Sequence, residues 1–454
     1  MANQLFENYK KRLQIAESVY ARQNGGETMS TNRKLVVAKC LDNITRFMNE
    51  SFDASSGTQR SDMGLWKKFC LNLTNVALPN LIAHDLVLVH PMSSMSGYVT
   101  YLKYTTGTAK GDVPSGHELN SPFRLGDAVP NYTSARLVEE FTLSDETGVV
   151  TASWFPVYSG DAADAKPRIT AIDNSGSPVV VADDATVTVG ADGKTLTLKN
   201  GASGTALASG MKVKVAYVYD NIVIPQNSLP TIKAEMDSIP LVAKARRIAV
   251  YFSQIAAFQA KTDYGFDLGD SLAEQAVGEL SYEIDTEIIN LLDETAGMVQ
   301  PELTWSKTLP VGVSKAEHYE GFTEVVEIAR QMIYDRTKKF APNYMIISSS
   351  VLPVLTFIKG WNAAPAGTVN GPYFAGTLNS LRVYVSPALA SGEYLIGVNG
   401  DDFMSSVAVY APYMAIVPTQ LLQYADGGTS QGWSTLYDLK VLNKDLIVKG
   451  QIVA

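Results

Sequence analysis

The chain has 454 residues, 46% of them hydrophobic and 18% charged, and 37 basic against 46 acidic side chains give it a formal net charge of −9. That length suggests two to four domains with ample core material, and the acidic balance excludes a sequence-wide attraction to nucleic acid. No apolar run reaches the roughly 18 residues of a membrane span, and MANQLFENYKKRLQIAESVY lacks a signal peptide's apolar block, so a cytoplasmic origin is expected.

In chain order, residues 1–80 predict two or three helical pieces, among them Arg33 to Asn49, a loop over Asp53 to Asp62 and a further helix over Met63 to Leu73. Eight basic residues in the first fifty (Lys10, Lys11, Arg12, Arg22, Arg33, Lys34, Lys39, Arg46) oppose five acids, a mildly basic arm. LVLVHPMSSMSGYVTYLKY, residues 86–104, predicts strands around a Pro/Ser/Gly turn. Residues 105–135 carry no helix signal and predict a long extended loop. Alternation in ATVTVG, KTLTLKN and KVKVAYVY, with a turn at Asp192-Gly193, predicts an inserted β-sandwich or barrel over 145–221.

A helix is expected over Ala243 to Lys261, with Ile248, Phe252 and Ile255 inward and a basic patch at Lys244, Arg246 and Arg247. The next helix, Ser271 to Ala296, dominates the reading. Ser271 and Glu274 fit a capping box, Val277, Leu280, Ile284, Ile288 and Leu291 form one apolar stripe, and Gly297 fits a C-terminal stop. Its length would be roughly 39 Å at 1.5 Å per residue. Glu274, Glu279, Glu283, Asp285, Glu287, Asp293 and Glu294 load it with acids, and it has no Lys or Arg. Same-helix pairing is therefore impossible. The acids either form a solvated face or meet a basic segment of this chain or of another copy. A third helix over Glu317 to Lys339 leads into alternating strands and short helices, interrupted by a loop at Lys359 to Gly376 and closed by a strand-like tail from Ser434. The class is α+β.

No catalytic pattern is present. His84, His90, His117 and His318 lack zinc-hydrolase spacing, and no phosphate loop, GxGxxG or G-x-S-x-G elbow occurs. A di-metal carboxylate site needs Glu-x-x-His, and the acidic helix has no histidine. Asp401 and Asp402 read as a solvated turn. Cys40 and Cys70 are too few for a disulfide framework or a cysteine-rich metal site. Neither an enzyme nor a cofactor is expected.

The run AKARRIAVYFSQIAAFQAKTDYGFDLGDSLAEQAVGELSYEIDTEIINLL resembles the approach to the spine helix in major capsid proteins of T-even-like tailed phages. LVLVHPMSSMSGYVTYLKY resembles that family's entry into its extended loop, and GPYFAGTLNSLRVYVSPALASGEYLIGVNG with AVYAPYMAIVP resembles its closing section. The resemblance implies a Hong Kong 97-type fold. Its parts would be an N-terminal arm (1–85), an extended loop (86–144, returning at 222–242), the inserted β domain (145–221) and a peripheral domain (243–316) with spine helix 271–296. An axial domain (317–418), its tip at Lys359 to Gly376, and C-terminal strands (419–454) would complete it.

The function so implied is a virion protein, assembled in the host cytoplasm, whose hexamers and pentamers enclose double-stranded DNA without sequence-specific binding. Portal, scaffold, prohead protease and decoration proteins would be partners, and no membrane is involved. Contacts between subunits would use Glu279, Glu283 and Glu287 with Lys244, Arg246, Arg247 and Lys103. Trimming by the protease would follow Ile15-Ala16-Glu17. The alternatives are a vertex protein or nanocompartment shell of the same fold, or, from the β island, a surface adhesion protein.

Overall fold

A computed structural model describes residues 2–23, 27–52, 78–111, 113–120, 132–158, 166–174, 176–201, 206–220, 229–265, 268–337, 339–364, 371–418, 422–424 and 428–453. The expected loop at 53–62, the helix at 63–73 and the side chain of Glu274 lie outside the described residues. The chain divides into two compact units, Met1–Tyr101 with Ser238–Ala454, and Leu102–Asp237.

Among the described residues, two sheets lie wholly in the first unit. In one, Leu88–Val89, Ala408–Pro418, Gly428–Val441 and Lys244–Ser253 lie in that order, with Leu422–Gln423 also on Gly428–Val441. The other has seven strands, in the order Thr304–Ser306, Ile447–Val453, Glu393–Gly397, Tyr344–Ile347, Leu381–Val385, Tyr373–Leu378 and Trp361–Ala363. Helices Ala2–Asn8, Lys10–Gln23 and Thr31–Phe52 open the chain. Val36, Val37, Leu41 and Ile44 recur at helical spacing and are buried. Beside them Asn43 Nδ2 donates to the carbonyls of Met92 and Tyr413, both at 2.8 Å, which ties this helix to the first sheet. Helix Phe322–Thr337 buries Phe322, Val326, Ala329 and Ile333 in the same way.

The spine helix runs Leu268–Ala296, so Ser271 lies inside it and is not its cap. Its end is as expected. Gly297 adopts φ +70°, where a Cβ would be strained, and its N–H reaches the Asp293 carbonyl at 3.2 Å. Ala276, Val277 and Leu280 pack with Ile416, Trp433, Ile248 and Val250. Further along, the buried set is Ile284, Ile288, Ile289 and Leu292. Leu292 replaces the expected Leu291, because 3.6 residues per turn rotate the buried line away from a strict 3-4 repeat.

Residues 244–253 are a strand and not the helix expected over 243–261; a helix follows only at Gln254–Gln259. Ile248 and Phe252 fit either period, but Arg246, Ile248, Val250 and Phe252 are half-buried while Ala245, Arg247, Ala249 and Tyr251 are exposed, a period of two. β-branched and aromatic side chains favour this outcome. Ile255, expected inward, is 71% exposed. The expected loop at 359–376 contains part of a hairpin, Trp361–Ala363 on Tyr373–Leu378.

The second unit contains a β-sandwich. Arg136–Thr142, Lys212–Val218, Arg168–Asn174 and Ser177–Val179 form one sheet; Val149–Thr151, Thr195–Lys199 and Thr186–Val189 form the other. Alternate residues such as Leu137, Phe141, Ile172, Leu196, Leu198, Val213 and Val215 share one buried core. The sandwich thus takes in 136–142, upstream of the sequence-based start at 145. At the Asp192-Gly193 turn, Asp192 Oδ1 accepts from the N–H groups of Lys194 and Thr195. Within the expected loop 105–135, Glu118–Asn120 pairs with the strand Ser96–Thr106, and 121–131 lies outside the described residues.

Candidate assembly surface

The acids of the spine helix do three different things. Asp285 is 8% exposed, in phase with the buried Ile288, Ile289 and Leu292. Glu287 and Asp293 are held by cations of the same chain. Arg246 grips Glu287 from two nitrogens, Nη2 to Oε1 at 2.5 Å and Nε to Oε2 at 3.3 Å. Tyr437 also donates to Glu287 Oε2, and the Arg246 guanidinium lies 4.8 Å from the centre of the Tyr437 ring. The hydrogen bond that Arg246 donates to Glu287 raises the pKa of Arg246. Lys449 bonds Asp293 at 2.8 Å and Glu393 at 2.9 Å. Glu279, Glu283 and Glu294 are exposed and carry no ion pair among the described residues.

Strand geometry sorts the basic residues. Lys244 and Arg246 share one strand face, and with Glu283, Glu287, Glu294 and Asp438 they line an open cleft of about 620 Å³. Arg247 lies on the opposite face and is exposed. Lys103 stands on Ser96–Thr106 in the second unit, half-buried. Of the seven residues expected at contacts, Arg246 and Glu287 already bind each other, and Glu279, Glu283, Lys244 and Arg247 are exposed. Large apolar side chains are also open to solvent in the second unit: Leu102, Tyr104, Ile232 and Met236.

Glu17 pairs with Lys34 at 2.8 Å inside helix Lys10–Gln23, beside the fully buried Ala16. The Ile15-Ala16-Glu17 segment is therefore helical, and a protease that reads extended chain would have to unwind it.

The sequence reading missed a charge cluster around Asp85. Its carboxylate takes Arg33 at 2.6 Å and Arg382 at 3.3 Å, and Arg33 also donates to the Pro79 carbonyl. No sequence spacing links these residues, although the phase of Asp285 within the buried stripe was readable. The histidines are built into the structure. His90 meets Phe403 edge-on at 5.4 Å. His318 stacks on Trp305 at 4.7 Å, its Nε2 2.9 Å from the Ser306 carbonyl. Among the described residues no group of three or more His, Cys, Asp or Glu could hold a metal ion, and no helix is long and apolar enough to cross a membrane.

The long helix of this α+β chain is fastened through Glu287 and Asp293 and leaves Glu279, Glu283 and Glu294 exposed without an ion pair among the described residues, the features of a structural rather than a ligand-binding surface. The chain belongs to the family of the major capsid protein Gp23, whose pattern it matches over residues 63–450. It is 24% identical over 403 residues to the major capsid protein of Escherichia phage AR1, covering 82% of this chain and 74% of that one. For the major capsid protein of Enterobacteria phage T4 the identity is 24% over 416 residues, covering 82% and 74%. Among solved structures, one from Microbacterium phage Oxtober96 is 12% identical with a TM-score of 0.33, over 67% of this chain and 92% of that one. The SrpI encapsulin of Synechococcus elongatus PCC 7942 is likewise 12% identical with a TM-score of 0.33, over 48% and 77%. Membership of the capsid family sets aside the adhesion reading.

Proposed function

We propose that this major capsid protein assembles into hexamers and pentamers of a Hong Kong 97-type shell around double-stranded DNA, in the cytoplasm of the host, with portal, scaffold, prohead protease and decoration proteins as its partners. Its role is structural rather than catalytic. The arm, extended loop, peripheral domain and axial domain take the boundaries given from sequence, the inserted β domain begins earlier, with Arg136–Thr142, and trimming after Glu17 belongs to maturation. Family membership supports this reading. The observation that carries it at the residue level is the spine helix, where Glu279 and Glu283 stand exposed and make no ion pair among the described residues.

Lys10 and Lys11 at the start of helix Lys10–Gln23 are also exposed and unpaired among the described residues. They, with Lys244 and Arg247, are the cations that a neighbouring copy would offer. Exposed Leu102, Tyr104, Ile232 and Met236 suit burial against another copy, since large apolar patches mark interaction sites. Each contact is weak, and repetition over a shell multiplies it. The test is the double substitution Glu279→Lys and Glu283→Lys. The monomer keeps its circular dichroism and melting temperature, sedimentation velocity shows loss of large assemblies, and Lys10→Glu with Lys11→Glu restores part of them. Assembly of the double variant at the wild-type level would overturn the charge reading.

A further inference from the structure

Residues 78–86, a short 3₁₀ turn and the helix Ala83–Leu86, are held to helix Thr31–Phe52 by Arg33, which bonds the Pro79 carbonyl and Asp85, and meet the spine helix at Asp285. Two titratable groups, each with a buried polar atom that has no partner, belong to this seat. Asp285 comes from the spine helix: the backbone N–H groups of Ile82 and Ala83 reach its carboxylate, but Oδ1 is buried without any partner. Asp85 and Tyr410 are the titratable groups facing it. His84 belongs to the seated segment itself. A ring N–H is engaged with the Leu78 carbonyl, its Nε2 is buried without a partner, and Arg33 is the charged group beside it.

Each geometry opposes charge. A proton on Nε2 would find no acceptor and would add a cation next to Arg33. An ionised Asp285 would leave Oδ1 unmet close to the Asp85 carboxylate. Burial and Asp85 push Asp285 up to about 7, and burial with Arg33 pulls His84 down to about 3. Cys40 and Tyr410, raised by burial, stay neutral across the same range.

We propose that Asp285 and His84 form a compensated pair that makes the seating of residues 78–86, and with it the Arg33–Asp85 attachment of the N-terminal helices, insensitive to pH from mildly acidic to neutral conditions. The signs are opposite. A carboxyl that prefers to be protonated when seated favours the seated state in acid, and loses that advantage as pH rises from about 4 to 7. An imidazole that stays neutral when seated favours the seated state at neutral pH, and loses that advantage as pH falls from about 6.5 to 3. Each alone changes the opening equilibrium by up to about tenfold per pH unit. Together they nearly cancel between pH 4 and 6.5.

Hydrogen–deuterium exchange of the full chain, corrected for intrinsic rates, reads this directly in peptides spanning 78–89. Wild-type protection is flat within about threefold from pH 4.5 to 7. Asp285→Asn loses protection progressively as pH falls below about 6.5. His84→Gln loses it progressively as pH rises towards 7. The double variant is flat again. Equal profiles in both single variants, or slopes of the same sign, would overturn the proposal. A second measurement uses wild-type protein alone. With ¹⁵N-histidine labelling the chain gives only four imidazoles, and His84 remains neutral at pH 5; its titration near 6.5 would equally defeat the proposal.

Discussion

Lys449 is 8% exposed, and its ammonium is the only cation between Asp293 of the spine helix and Glu393 of the seven-stranded sheet among the described residues. Removing one partner of such a cluster leaves uncompensated charge in a poorly hydrated place. Lys449→Met therefore lowers stability by about 3 kcal/mol, measured as a drop in the urea midpoint of the unassembled chain. An unchanged midpoint would mean that water serves both carboxylates. Glu287 and Glu283 separate in the same assay. Glu287→Lys places an ammonium against Arg246 and destabilises the monomer by roughly 1–2 kcal/mol, moderated because the pair is partly solvated. Glu283→Lys leaves the monomer within about 0.5 kcal/mol of wild type, since it stands in solvent.

At the scale of the element, the spine helix draws its stability from one face. Ile288 is fully buried. Its truncation, Ile288→Ala, costs about 3 kcal/mol from lost burial and the cavity left behind, read from denaturant unfolding. A cost below about 1 kcal/mol would show that the helix is peripheral to the core. This helix was largely legible in the sequence, because the apolar repeat and Gly297 act locally. What it could not show was which acids pair: Glu287 meets Arg246 across 41 residues, and Asp293 meets Lys449 on the C-terminal strand Ile447–Val453. The strand Lys244–Ser253 was misread for a related reason. Its inward residues satisfy two periods at once, and ladder pairing with Gly428–Val441 from nearly two hundred residues downstream decides between them. The Asp85 cluster was invisible, since Arg33, Asp85 and Arg382 come together only in the folded chain.

For the whole molecule, the division into two units has a measurable consequence. The sandwich has a core of its own from Leu137 to Tyr219, so the fragment 132–220 unfolds cooperatively when expressed alone. A gradual, non-cooperative melt would show that it depends on the rest of the chain. The existence of this β module was readable from its alternation. Its upstream edge was not, because Arg136–Thr142 enters by pairing with Lys212–Val218 at the far end of the module.

As a major capsid protein, this chain is expected to build a shell. Negative-stain electron microscopy of the purified chain, with sedimentation velocity on the same sample, tests it most directly. Closed shells, tubes or capsomer rings are expected, with the smallest species sedimenting as multiples of the 454-residue chain. A chain that remains monomeric at high concentration, with scaffold supplied, would contradict it.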